Sequence, residues 1–341
     1  MLLTQPVRTA QSNALRGLLL LLLADSAVGD ELLNQPISQS NGSPFALISG
    51  LPTMSSGKLL RAGQNQWSLS AALSNNFAHD EAKDESVWLD GETTRTVLSL
   101  QTGFDIRGSR GWQLGLDIPY IQHRGGSLDS FIEDWHDSFG LPNADREDFA
   151  QDQLAYRYDD VDNSVAIVDN AAGIGDLRLS LGKQLLRSER HAAALSLSLK
   201  LPTGDERRLT GNGATELATS VLFSGALSPT DDAFNYHLSA GLLFSNDGDV
   251  LATRRKAVVP YGGASLSWQC LSRLALKLQL DAHGALYDSE LTPLQESVQL
   301  SLGGSVGLDR HWALDLAVIE DIVVDSASDV VFQLGLRYRQ D

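Results

Sequence analysis

Residues 274–281 read Leu274-Ala275-Leu276-Lys277-Leu278-Gln279-Leu280-Asp281. Leucine returns at every second position, and Lys277, Gln279 and Asp281 fall between. Side chains alternate across the pleat of a strand, so this spacing predicts one apolar and one polar face. The same period appears at Leu195, Leu197, Leu199 and Leu201, with Ser196, Ser198 and Lys200 opposite. Outward from these two stretches, about a dozen such segments follow one another from Trp67 to Tyr338. No charged residue falls on any of their apolar faces.

Alternation also suits a soluble sandwich, so three further features decide. The segments run about ten residues, enough to cross a bilayer when tilted. Their number is even. Their connections alternate between short ones, near 108–111, 187–192, 228–233, 269–272 and 309–311, and longer, more acidic ones. The longer ones lie near 78–93, 120–175, 202–215, 245–256, 287–295 and 320–329. Short periplasmic turns with long outer loops are the organisation of an outer-membrane barrel. The fold class expected is all-β: a transmembrane antiparallel β-barrel of about 12 strands, both ends periplasmic, over residues 65–341. Trp67, Trp112, Trp268, Trp312 and Tyr338 then fall near the periplasmic rim, where an aromatic girdle belongs.

Composition agrees with this once residue order is known. The 341 residues carry 43 acidic and 26 basic side chains, for a net charge of −17, and mean hydropathy is −0.11. That average is too polar for a bundle of membrane helices, but a half-lipid, half-wet strand averages near neutral. The acidity argues against nucleic acid as a partner. Cys270 is the single cysteine, so no intrachain disulfide or cysteine-built zinc site is expected. No cofactor, metal or catalytic set is assigned.

Two segments precede the first strand. Arg8 and Arg16, the leucine run 18–23 and the small residues to Gly29 predict a signal peptide over 1–29. Residues 30–64 hold Asn41-Gly42-Ser43-Pro44-Phe45 and Gly50-Leu51-Pro52, and two readings stand for them: a plug inserted in the barrel, or a periplasmic lead-in.

Several loop stretches are more distinctive than barrel physics requires. They are Leu89–Thr93, Gly125–Ile132, Trp135-His136, Phe139–Pro142, Lys200-Leu201-Pro202-Thr203-Gly204 and Leu209–Ala214. Together they resemble an uncharacterised Gram-negative outer-membrane family that carries only a domain-of-unknown-function label. The Lys-Leu-Pro-Thr-Gly stretch and the Gly-x-Gly turn after it also resemble the outer-membrane proteins grouped with phenol-degradation (MetA-type) pathways. The resemblance implies location, fold and uptake of hydrophobic compounds; it supplies no reaction.

Inward positions are expected to carry Arg95, Asp105, Arg107, Asp117, Arg178, Lys200, His237, Lys277, Asp281, His283, Asp315 and Arg337 as lumen-lining groups. Such groups select permeants or pair with one another. Within the longest loop, near 121–175, Leu128, Phe131, Ile132, Trp135 and Phe139 recur at helical spacing with acidic residues between. They predict a short amphipathic helix that gates the outer mouth. The function expected is passive uptake of small molecules, with the hydrophobic class implied by the resemblance. The alternatives are a structural or partner-binding envelope protein and, behind it, a rim hydrolase using His136 beside Asp134 and Asp137. Expected partners are outer-membrane lipid and lipopolysaccharide, the barrel-assembly machinery during biogenesis, and an unidentified permeant.

Overall fold

The computed structural model describes residues 30–126, 152–228, 233–322 and 326–340. The signal-peptide residues 1–29 and the five gate residues Leu128, Phe131, Ile132, Trp135 and Phe139 lie outside them, as does His136.

Fifteen strands join one antiparallel sheet. They are β1 (Asn65–Ala82), β2 (Glu85–Ile106), β3 (Ser109–Arg124), β4 (Ala155–Asp160), β5 (Ser164–Ile167), β6 (Ala171–Ile174), β7 (Leu177–Arg187), β8 (His191–Leu201), β9 (Glu216–Ala226), β10 (Phe234–Ser245), β11 (Val258–Leu271), β12 (Leu274–His283), β13 (Ser297–Gly307), β14 (Trp312–Asp321) and β15 (Val330–Gln340). Twelve of them, β1–β3 and β7–β15, pair in sequence order, and β15 pairs back onto β1 from Asn65↔Gln340 to Asn75↔Val330. The barrel is closed, so no strand edge is left without a partner in the wall. That is the condition for strands to cross hydrocarbon.

The two faces of each strand separate as their chemistry requires. Leu69, Leu100, Leu197, Leu238, Leu278 and Leu334 are exposed on the outside, while Ser198, Lys277, Gln279, Gln299, Ser301 and Arg337 are buried within. Among the described residues no helix is long and apolar enough to cross a membrane; the strands carry the apolar surface. A closed barrel with an outward apolar band belongs in the outer membrane of a Gram-negative cell.

Two connections differ from the sequence expectation. The stretch 78–93 is not a loop: β1 runs to Ala82, β2 starts at Glu85, and the pair stays in register to Ala82↔Glu85. Polar and acidic side chains there break the apolar alternation, but strands that extend beyond the membrane do not need it. Inside the 121–175 connection, β4 pairs with the outer part of β2, and β5 pairs with β4. Gly91 marks where β2 changes partner from β3 to β4; its φ of +144° is a conformation that side-chain-bearing residues rarely adopt.

Residues 31–61 run along the inner face of the wall. Helix α1 (Asp30–Leu33) seats Leu32 and Leu33 against Ala275 and Ala313, two small inward residues near the periplasmic rim. The chain then climbs. The backbone N–H of Ile37 donates to Gln279 Oε1 at 2.9 Å, and Gln39 Nε2 donates to Gln299 Oε1 at 2.5 Å. It turns at the outer end through helix α2 (Pro44–Leu47), where Pro44 at the first helical position needs no N–H partner. Phe45 and Ile48 are buried there with Tyr158, Leu251, Leu286 and Tyr287. The chain descends past Met54 and Ser56, and Gly57 N–H donates to Ser224 Oγ at 2.7 Å. It leaves at Gly103, where any Cβ would overlap the Leu60 and Arg61 carbonyl oxygens.

Candidate lumenal site

The outer end of the inner wall holds an ionic cluster. Lys200 on β8 is fully buried. Its Nζ donates to Asp176 Oδ2 at 2.5 Å, Ile48 O at 3.1 Å and Asn212 Oδ1, and it pairs with Glu216 Oε2 at 3.1 Å. Glu216 also accepts from Arg255 at 2.6 Å and from Ser245 at 2.8 Å. Two cations and two carboxylates balance, which makes burial of all four tolerable. Lys200 opens the Lys-Leu-Pro-Thr-Gly stretch and Asn212 sits in the Gly-x-Gly turn. The distinctive loop motif therefore forms a clamp on the Ile48 carbonyl.

Apolar and aromatic groups complete the clamp. Tyr287 donates its hydroxyl proton to Phe45 O at 3.0 Å and lies under the Arg255 guanidinium at 5.7 Å. Phe45 meets Tyr158 edge-on at 6.3 Å. Tyr158 in turn donates to Asp160 at 2.8 Å, and Arg254 pairs with Asp160 at 2.8 Å. Burial pushes the Asp160 carboxyl up, but the hydrogen bonds from Arg254, Tyr158 and Asn163 outweigh it and hold the group well below the usual carboxylate range. Burial raises the Tyr158 hydroxyl, and its two carboxylate partners raise it further.

Lower down, charge is sparser. Asp315 pairs with Arg337 at 2.6 Å and with Lys277 at 3.6 Å, and Ser305 donates to it. Asp117 accepts from Ser99 at 2.6 Å. Arg95 donates to Ser40 at 2.8 Å. Arg178 makes one long bond, 3.5 Å, to Ser49 O. Gln279 donates to Asp281 at 2.7 Å.

The two lumenal histidines hold the inserted chain in opposite tautomers. His237 Nε2 faces the Asn34 carbonyl at 2.5 Å, so it carries the proton, and Nδ1 accepts from Ser224 at 2.7 Å. His283 Nδ1 faces Gly284 O at 2.9 Å, so Nε2 accepts from Asn41 at 3.0 Å. Neither pairs with a carboxylate.

Asp105 and Arg107 are corrections. Both are exposed at the β2–β3 turn rather than on the lumen wall, because a bulge between Phe104 and Ile106 breaks the period of two. Asp105 instead accepts from Gly111 N–H at 2.7 Å and fastens that turn. Trp67, Trp312 and Tyr338 form one contact group at the rim of the short turns, with ring centroids 4.9–5.4 Å apart. Trp268 stacks on Phe234 at 5.8 Å, and Lys183 lies 4.8 Å over Trp112.

Sequence reasoning passed over the neutral inward groups. Gln113 and Gln184 accept from the N–H groups of Leu60 and Leu59, at 2.8 and 3.0 Å. Asn34 accepts from Ser267 at 2.7 Å. The available signal was amide side chains at inward positions of successive strands, opposite a lead-in with no period of its own. Polar cavities remain between wall and inserted chain. One, about 240 Å³, opens near the short turns beside Glu31, Lys58 and His237. A second, about 130 Å³, lies in the periplasmic half beside Arg178, Ser198 and Gln113. A third, about 70 Å³, lies beside Asn41, Asp281 and His283.

This barrel is similar to solved channels. The COG4313 outer membrane channel from Pseudomonas putida F1 superposes with a TM-score of 0.53 at 13% identity, covering 83% of this chain and 97% of that one. The NanC porin gives 0.44 at 6% identity, over 80% and 98%. The CymD monoaromatic hydrocarbon channel gives 0.40 at 10%, over 83% and 89%. No curated protein matches the chain. One family model, described as Protein of unknown function (DUF3187), matches residues 18–340.

Proposed function

Because the chain belongs to that family of unknown function, its role must be read from the lumen, and we propose that it is a channel for passive uptake of small molecules, with residues 30–64 as its plug. The observation that carries this is the way residues 31–61 occupy the lumen. They are held mostly by side-chain hydrogen bonds, and polar cavities remain beside them. A structural barrel of this diameter would be expected to fill its interior with wall side chains. Here the wall's inward positions are often small, such as Ala275, Gly303, Ala313 and Ala317. The resemblance extended the expectation to hydrophobic solutes; the serine, amide and arginine lining of the cavities favours water-soluble ones.

On this reading the outer wall meets membrane lipid and lipopolysaccharide, and the barrel-assembly machinery inserts the chain. The test is single-channel conductance and liposome swelling of the full-length protein against a variant lacking 31–60. Both should fold, shown by heat-dependent electrophoretic mobility. The deletion should conduct steadily while the full chain stays closed or opens rarely. A folded deletion variant that passes nothing would sink the channel.

A further inference from the structure

The cavity beside Arg178 has a charge imbalance that the fold does not resolve internally. Four basic residues line it, Lys58, Arg178, Arg337 and Arg339, against one acid, Asp117. Three of the four have carboxylate partners: Lys58 and Arg339 reach Glu31 at 3.7 and 3.5 Å, and Arg337 reaches Asp315 at 2.6 Å. Arg178 has none. It is 7% exposed, its Nε has no hydrogen-bond partner, and no carboxylate among the described residues lies within ion-pair reach. Asp117 stands opposite it on β3 but is engaged by Ser99. Arg95, also without a carboxylate in ion-pair reach among the described residues, donates to Ser40 instead.

A buried guanidinium without a counter-charge is costly. Its planar fork fits a carboxylate through two parallel hydrogen bonds. Around it the wall offers hydroxyls: Ser180 follows on the same face of β7, and Ser198 stands opposite Ser180 on β8 with its own Oγ buried and unpartnered. The carboxylates that the other cations reach are shared, Glu31 among Lys58, Arg187 and Arg339 and Asp315 between Lys277 and Arg337, so the lining keeps a positive excess that suits an anion. The free space, about 130 Å³, equals roughly four waters at the ~30 Å³ that each occupies in the liquid, so the solute is small.

We propose that this cavity is a binding site for a small hydroxy-carboxylate anion, with Arg178 receiving the carboxylate and Ser180 and Ser198 the hydroxyls. The proposal rests on the channel reading only in making the site a station on the permeant's path; binding itself requires no conductance.

The test is isothermal titration of the full-length protein in detergent with D-glycerate, using glycerol as the neutral isostere. Glycerate should bind, and glycerol about tenfold more weakly or less. Arg178→Gln should weaken glycerate about tenfold, and Ser198→Ala by a smaller factor, with heat-dependent mobility confirming the fold. Should the glutamine variant fail to fold, Arg178→Lys decides: it keeps the charge, loses the fork, and should still weaken glycerate severalfold. Equal affinity for glycerate and glycerol, no glycerate binding at all, or unchanged affinity in the folded Arg178 variants would overturn the site. Glycerate binding in a barrel that never conducts would overturn only passage. Conductance without Arg178-dependent binding would overturn only this site.

Discussion

The two halves of the inserted chain are held by different physics. At the outer end, α2 is gripped by a balanced ionic cluster around Lys200 and by an apolar cluster around Phe45. Below Pro52 the descending limb is held largely by neutral amides and hydroxyls: Gln113, Gln184 and Ser224. Buried ion pairs are costly to half-break, whereas a neutral hydrogen bond exchanges with water at small net cost. The outer half therefore behaves as a latch and the lower half as an adjustable lining beside the cavities.

The largest effect should come from Lys200→Met. It leaves Asp176 and Glu216 buried with one cation fewer, a loss of about 3–5 kcal/mol for a broken buried pair, and frees the Ile48 carbonyl. Hydrogen exchange of residues 43–50 should accelerate strongly while residues 56–61 change less. Equal acceleration of both halves would mean they form one unit. Next is Gln184→Ala on the lower half. Gln184 accepts from Leu59 N–H and donates to Gly57 O at 2.7 Å, so about 1–3 kcal/mol should be lost. Exchange should rise at 56–61 and stay fixed at 43–50; the reverse pattern would break the comparison. Smaller again is Tyr287→Phe, which removes one hydrogen bond to Phe45 O. About 1 kcal/mol is expected, read as a modest rise in exchange at α2, with the ring packing intact.

The same contrast explains what the sequence could disclose. The wall was legible because lipid demands an apolar residue at every second position, and Leu274 to Leu280 obey that demand without exception. The inserted chain was not, because it meets neither lipid nor bulk water: Asn34, Ile37, Gln39 and Phe45 follow no period, and each suits a different wall residue. Lys200 was assigned to the lumen by parity, but its partners Asp176 and Asn212 come from the separate loops that precede β7 and β9, and no spacing rule joins them. Asp105 and Arg107 show the limit of parity, since one bulge moved both to a turn. The extension of β1 and β2 beyond the membrane shows another: once lipid no longer selects the outer face, a strand can be as polar as a loop.

The smallest effect is expected where the latch meets water. Asp160 sits under Arg254, Tyr158 and Asn163, with its carboxyl held well below the usual range. A carboxylate whose folded-state pKa is depressed contributes stability that is fully present above its unfolded value, near 3.9, and is lost as pH falls from there toward the folded value. Packing of β4 and β5 over Phe45 should therefore be insensitive between pH 8 and 5 and loosen only below about pH 4. Arg254 is about a third exposed at 31%, so solvent screening keeps the effect small. Exchange at residues 156–163, compared with that of Asp160→Asn, checks it. The variant should exchange faster at pH 7 and lose the acid-dependent step. A wild type that loosens already at pH 6 would shift the cause from this carboxylate to a histidine of the outer mouth, with His123 the first to examine, since it bonds Thr93 at 2.9 Å and Leu209 O at 3.0 Å beneath the same cap.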